Sequence, residues 1–166
     1  MSQEDSLIDR QKQLDAITHR IIGAAMEVHR LLGPGLLESA YEECLCLELT
    51  LGELRFERQV PLPIVYKSIT LLRAYKPDLL VGGAVIVELK TIEKILPVHE
   101  AQILTYLKLS GLEAGLLINF NSIPLVSGIR RLNRSKLNSV RAVSPVSPAR
   151  IACDETELHS RANPEE

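Results

Sequence analysis

The stretch "PDLLVGGAVIVELK", Pro77 to Lys90, decides how this chain is read. Its run Ala84-Val85-Ile86-Val87 is apolar on both faces, the pattern of a strand in the middle of a sheet. The run leads straight into Glu88 and Lys90, which share one face because strand side chains alternate with a period of two. Asp78 stands ahead of them on the preceding segment. A carboxylate or ammonium is costly to remove from water unless it is paired, hydrogen-bonded or bound to a cation. Three ionisable groups beside a buried strand therefore need a reason.

The turn between the two segments decides whether the groups meet. A two-residue Gly82-Gly83 loop would set Asp78 opposite Val87, on the wrong face from Glu88. A three-residue loop, Val81-Gly82-Gly83, would pair Asp78 with Ile86 and make Glu88 its diagonal neighbour on the same face, roughly 7–8 Å away between Cβ atoms. An odd loop is thus expected. Two carboxylates and a lysine on one face suit a hard divalent cation, since Mg²⁺ is typically held by one or two carboxylates, waters and a substrate phosphate. A partly exposed Glu88–Lys90 pair at a strand end, with Asp78 on the surface, is the plainer account of the same residues.

The spacing of Leu14, Ile17, Ile21, Ala25, Val28 and Leu32 predicts a helix over 14–32, stopped by Gly33-Pro34-Gly35. A second helix is expected over about 36–51. Residues 55–67 read as an edge strand, because Pro61 and Pro63 cannot donate to a ladder. A further strand is expected over 69–81, a helix from Pro97 to Gly111, a buried strand at 115–120 and a last one at 126–132. The first 13 residues are polar and read as a flexible N-terminus; those from 133 to 166, with Ser-Pro pairs and no periodicity, read as a disordered tail. Residues 14–132 form the expected domain, an α/β layer fold with a mixed central β-sheet flanked by α-helices.

Composition narrows the function. The chain has 166 residues, 46% hydrophobic and 24% charged, which fits one globular domain with a sizeable core. No apolar run approaches membrane-spanning length and no signal peptide is visible, so a cytoplasmic protein with no membrane partner is expected. Cys44, Cys46 and Cys153 lack metal-ligand spacing and read as free thiols. A net charge of −2 argues against a broad basic nucleic-acid surface, and 4% aromatics without Trp argue against a stacking platform for single strands.

Two further places draw attention. On a wheel of the second helix, Leu37, Ala40, Tyr41, Cys44, Leu45, Leu47 and Leu51 form the apolar arc, with Glu38 at its border and Glu42 and Glu43 outside it. Glu38 could reach into a cleft between helix and sheet, or simply complement the helix dipole in the first turn. Glu48 falls inside the arc and would need a buried partner such as an arginine. In the helix after Lys90, Gln102 and Tyr106 are four apart and share a face. They read as site residues, or as a satisfied amide beside an amphipathic core tyrosine.

Taken in order, these residues resemble a family. Pro77-Asp78 followed by Glu88-Leu89-Lys90 is similar to the PD-(D/E)-x-K pattern of the restriction-endonuclease-like nuclease superfamily, and "GLLESAY", Gly35 to Tyr41, resembles the signature of its GxxExxY branch. "GAAMEVHRLLGPG", "FERQVPLPIVYK", "PVHEAQILTYLKLSG", "GLLINF" and "GIRRL" extend the likeness across about 14–132. The resemblance implies a restriction-endonuclease-like core and a Mg²⁺- or Mn²⁺-dependent hydrolase of phosphodiester bonds. Asp78 and Glu88 would be metal ligands, Glu38 an additional helix carboxylate, and Lys90 would orient the attacking water. Gln102 would complete the catalytic set, with Tyr106 and Tyr41 supporting it.

The expected partner is nucleic acid, DNA rather than RNA, bound weakly unless a protein partner or a second copy assists. Two rivals fit the same residues: a non-catalytic module that binds nucleic acid or protein on the nuclease fold, and an interaction domain whose charges form a structural ion-pair network.

Overall fold

The computed structural model describes residues 3–135. Two helices come first, α1 (Gln3–Leu32) and α2 (Glu38–Leu51). Strands β1 (Phe56–Arg58), β2 (Leu62–Tyr66), β3 (Ile69–Tyr75), β4 (Leu79–Val81) and β5 (Val85–Lys90) follow. Helix α3 (Pro97–Ser110) leads to β6 (Ala114–Asn119), a short 3-10 turn at Leu125–Gly128, and β7 (Ile129–Asn133).

Among the described residues five strands form one sheet in the order β1-β4-β5-β6-β7. Only β5 and β6 run parallel, as the crossover through α3 requires; the other neighbours are antiparallel. The expected mixed sheet flanked by helices is therefore present. Alternation sorts its two faces: Val85, Val87 and Leu89 join the core under α1 and α2, while Ile86 and Leu117 join Ile103, Tyr106 and Leu107 of α3. Strand β6 is buried along its whole length, as befits a strand covered on both sides. Its Gly115 is needed for close approach, since a Cβ there would lie 2.5 Å from Ile103 Cγ2.

The β4–β5 turn is odd, as expected, but its register differs from expectation. Gly82 and Gly83 both take left-handed backbone with φ of 61° and 63°, and Ala84 N–H donates to the Val81 carbonyl at 3.1 Å. The three-residue loop is Gly82-Gly83-Ala84 rather than Val81-Gly82-Gly83, so Val81 pairs with Val85, Leu80 with Ile86 and Leu79 with Val87. One step further sets Asp78 opposite Glu88 rather than Ile86. The two-residue shift preserves the face.

Other boundaries move for local reasons. The long strands expected at 55–67 and 69–81 are each broken, near Pro61 and Pro77, and the middle pieces pair with each other as a separate β2–β3 hairpin. Residues 3–13, expected to be flexible, belong to α1; they contain neither Gly nor Pro, and extending an existing helix costs little. At the other end Asn133 closes β7, and Arg134 N–H donates to the Glu113 carbonyl at 2.9 Å. From residue 136 the expected tail lies outside the described residues.

The α2 wheel is also rotated from its expected setting. Tyr41, Glu42, Leu45, Cys46 and Leu49 face inward, whereas Leu37, Leu47 and Leu51 are exposed. Glu42 tolerates burial because Arg58 bonds it at 2.8 Å while also reaching Glu43. The acid–arginine pair anticipated for Glu48 thus exists at Glu42.

Candidate active site

Strand β5 delivers Glu88 and Lys90 to the α3 face of the sheet, and the odd turn brings Asp78 to the same place. Lys90 Nζ lies 2.7 Å from Glu88 Oε1. Gln102, on the second turn of α3, donates through Nε2 to the same Oε1 at 2.9 Å and contacts the Tyr106 hydroxyl at 2.5 Å. Asp78 Oδ2 accepts the Leu89 backbone N–H at 2.7 Å, tying its carboxylate to the Glu88–Leu89 peptide. Five of the seven expected site residues therefore meet: Asp78, Glu88, Lys90, Gln102 and Tyr106.

The electrostatics show an acidic pair short of positive charge. Burial and the neighbouring Glu88 charge push the Asp78 carboxyl up to about 7, against the pull of the Leu89 N–H and Lys90. Glu88 is raised as well, chiefly by burial, although its bond to Lys90 opposes the shift. Burial and the same carboxylates lift the Tyr106 phenol to about 12, so it remains a neutral hydrogen-bonding group at neutral pH. Glu88 is only 3% exposed, and its second oxygen, Oε2, is buried with no hydrogen-bond partner among the described residues. A buried, unsatisfied carboxylate oxygen beside a second carboxylate is where a hard cation would lower the energy.

Glu38 takes a different position. It opens α2, and its charge raises both Asp78 and Glu88 from a distance. No three His, Cys, Asp or Glu side chains are gathered as a ready metal cage among the described residues. The donor set fits a cation held by Asp78 and Glu88, with water or phosphate oxygens filling its remaining positions.

Tyr41 is not among the site's hydrogen-bonding groups. Its hydroxyl donates to the Gly33 carbonyl at 2.5 Å and accepts the Leu36 N–H at 3.3 Å, and its ring stacks on Phe120 with centroids 4.3 Å apart. It fixes the α1–α2 loop, and with it the helix end that carries Glu38, over the end of β6.

One residue of the site's scaffold escaped sequence reasoning. Asn119 pairs with Lys90 in the parallel register, and its side chain clamps the chain just beyond. Oδ1 accepts the Ile92 N–H at 3.0 Å while Nδ2 donates to the Ile92 carbonyl at 2.8 Å. Phe120 N–H adds a bond to the Lys90 carbonyl at 2.8 Å. The clamp continues the ladder after β5 has ended and holds Lys90 extended. Its signal in the sequence is one amide at the end of the otherwise apolar "GLLINF". His99 caps α3, its Nδ1 accepting the Leu96 N–H at 3.0 Å, and takes no part in the site.

No curated protein and no solved structure matches the chain. A family model described as the PD-(D/E)XK nuclease superfamily matches residues 15–132, the span from the core-bearing part of α1 to β7, which holds all the acids described above. With more than half its length matched and an α/β mixed-sheet core consistent with the restriction-endonuclease-like fold, the chain belongs to the PD-(D/E)XK nuclease superfamily.

Proposed function

We propose that the protein is a Mg²⁺- or Mn²⁺-dependent nuclease that hydrolyses phosphodiester bonds of DNA. The observation that carries this reading is Glu88, with one oxygen held by Lys90 and Gln102 and the other buried and unsatisfied among the described residues, while Asp78 is bonded to the Leu89 N–H next along the strand and feels the Glu88 charge. Asp78 and Glu88 would hold the cation. When bound, the cation supplies Lewis-acid stabilisation of the phosphate and lowers the pKa of the attacking water.

The chain's own groups do the rest. Lys90, anchored on Glu88, keeps an ammonium beside the carboxylates, where it can orient a water and offset charge that grows on a phosphate oxygen. Gln102 locks the Glu88 rotamer through its amide, and Tyr106 locks Gln102 in turn. The charge of Glu38 adds to the negative potential that draws a cation in.

The test has two arms. Saturating Mg²⁺ or Mn²⁺ should raise the melting temperature of the wild type and leave that of Asp78→Ala unmoved; occupancy at 100 times Kd is worth about 2.7 kcal/mol. Lys90→Ala should keep the metal-induced shift yet lose about 10²-fold or more in the rate of DNA cleavage, the usual scale for removing one charge-stabilising donor. An equal metal response in Asp78→Ala, or full cleavage by Lys90→Ala, would refute the assignment.

A further inference from the structure

The β2–β3 hairpin stands apart from the main sheet, and the site's chemistry does not use it. Leu62 and Tyr75 root it in the core under α3, where the Tyr75 ring meets Tyr106 edge-on at 5.6 Å. Beyond that root Val65, Tyr66, Ile69, Leu71 and Leu72 are all exposed. A two-stranded ribbon of this kind is marginal on its own in water. Something else accounts for its form.

Charge identifies the partner. Between Gln59 and Pro77 the sequence has Lys67, Arg73 and Lys76 and not one Asp or Glu, in a chain whose net charge is −2. Elsewhere Arg30, Arg58, Arg130, Arg131 and Arg134 are each paired with a carboxylate, and the cations without such a pair among the described residues, Arg10, Lys12, Arg20, Arg55 and Lys94, lie in stretches that also carry Asp or Glu. Lys67, at the hairpin tip over the Tyr66 ring at 5.5 Å, and Lys76, two residues before Asp78, have no ion-pair partner among the described residues. Lys67 also takes a left-handed φ of 53°, a conformation that glycine adopts without cost and lysine does not. Lysine at that position is unfavourable for the hairpin itself.

Resting on the nuclease reading, we infer that the β2–β3 hairpin is a DNA-gripping arm that enters the major groove of a duplex and directs the backbone towards Asp78 and Glu88. The dimensions agree. Paired strands lie about 4.8 Å apart and a five-residue strand extends about 17 Å; the B-form major groove is about 12 Å wide and about 8.5 Å deep, and admits a two-stranded ribbon. Lys67 and Lys76 meet phosphates on the groove walls. The exposed Ser68 and Thr70 offer hydroxyls to base edges, and the aliphatic side chains meet thymine methyl groups. Duplex RNA, whose major groove is deep and narrow, is refused.

The test measures binding without catalysis. Fluorescence anisotropy in EDTA follows a labelled DNA duplex and a matched RNA duplex across a salt series, with the wild type, Lys67→Gly, Lys76→Ala, the double variant and Lys12→Ala as a charge control. Each arm lysine removed should reduce the slope of log K against log salt by about one. The double variant should bind DNA at least about ten-fold more weakly at low salt, whereas Lys12→Ala keeps the wild-type slope. Lys67→Gly should not lower the melting temperature, because glycine relieves the left-handed strain, so its lost binding cannot be ascribed to unfolding. Equal DNA binding by wild type and double variant, equal affinity for duplex RNA, or a dimer in sedimentation that Leu72→Ser dissociates would each overturn the arm. Absence of cleavage by the wild type with Mg²⁺ would sink the nuclease reading and leave the binding result standing.

Discussion

Asp78 and Glu88 are two acids whose burial costs more than Lys90 alone returns, and both are raised as a result. For Asp78 the folded value is about 7 against an ordinary 3.8. The folded protein therefore keeps a proton that the unfolded chain has already released. Its stabilising effect is complete below the unfolded value and is lost as pH rises through about 7. Glu88 shifts the same way and adds to the trend. Metal-free wild type should therefore melt at a lower temperature at about pH 8 than at about pH 5, with a flatter profile for Asp78→Asn. On the proposed cation site, saturating Mg²⁺ should flatten the wild-type profile too, because the cation would take the place of the proton. Calorimetric melting with and without EDTA checks both statements; an Asp78→Asn profile as steep as the wild type would show that the proton resides elsewhere. The pairing of Glu88 with Lys90 was legible in the sequence, because strand parity is a strict period. The register was not, because nothing in "VGGAV" says that Ala84 belongs to the loop.

Helix α3 shows how an element can set a site it contributes only partly to. It brings Gln102 and Tyr106 to Glu88, and its distance from the sheet is fixed where Ile103 rests on Gly115. Gly115→Ala would place a methyl group 2.5 Å from Ile103 Cγ2, so the helix or the strand must give way. Overpacking of this kind costs about 1–3 kcal/mol. Denaturant unfolding should report that loss, and cleavage should fall further than stability alone explains, because Gln102 is displaced with its helix. Unchanged stability would mean that the sheet yields locally without effect on α3. Elements were legible where periodicity was strong: α1 from Leu14, α3 between Pro97 and Gly111, and β5. They were misread where tertiary partners overrode pattern. Glu42 is buried because Arg58 reaches it from β1, and the exposed Leu47 and Leu51 made the wheel of α2 point the wrong way. The hairpin was hidden for a similar reason. Pro61 and Pro77 divide what look like two strands into four, and the pairing of β2 with β3, from Leu62–Tyr75 to Tyr66–Ile69, separates the arm from the sheet.

At the scale of the whole molecule the cooperative unit can be drawn from burial. Leu14 is the first described residue with its side chain in the core; the described side chains before it are exposed, Leu7 and Ile8 included. The next residue, Asp15, pairs with Arg131 of β7, joining the first core-bearing turn to the far edge of the sheet. That edge is finished by Arg134, whose side chain pairs with Glu113 ahead of β6. The first turns of α1 are thus helical by continuation from a helix anchored further along, and they contribute little to global stability. Deleting residues 1–12 should leave the melting temperature nearly unchanged, although helical circular dichroism would fall with the lost turns. Leu14→Ala, two positions past the cut, should instead cost about 2–5 kcal/mol, the usual range for truncating a buried leucine. The pair of variants separates helix length from core anchoring by differential scanning calorimetry. If the deletion lowers stability as much as Leu14→Ala does, then the first turns of α1 support the domain through contacts that their exposure conceals.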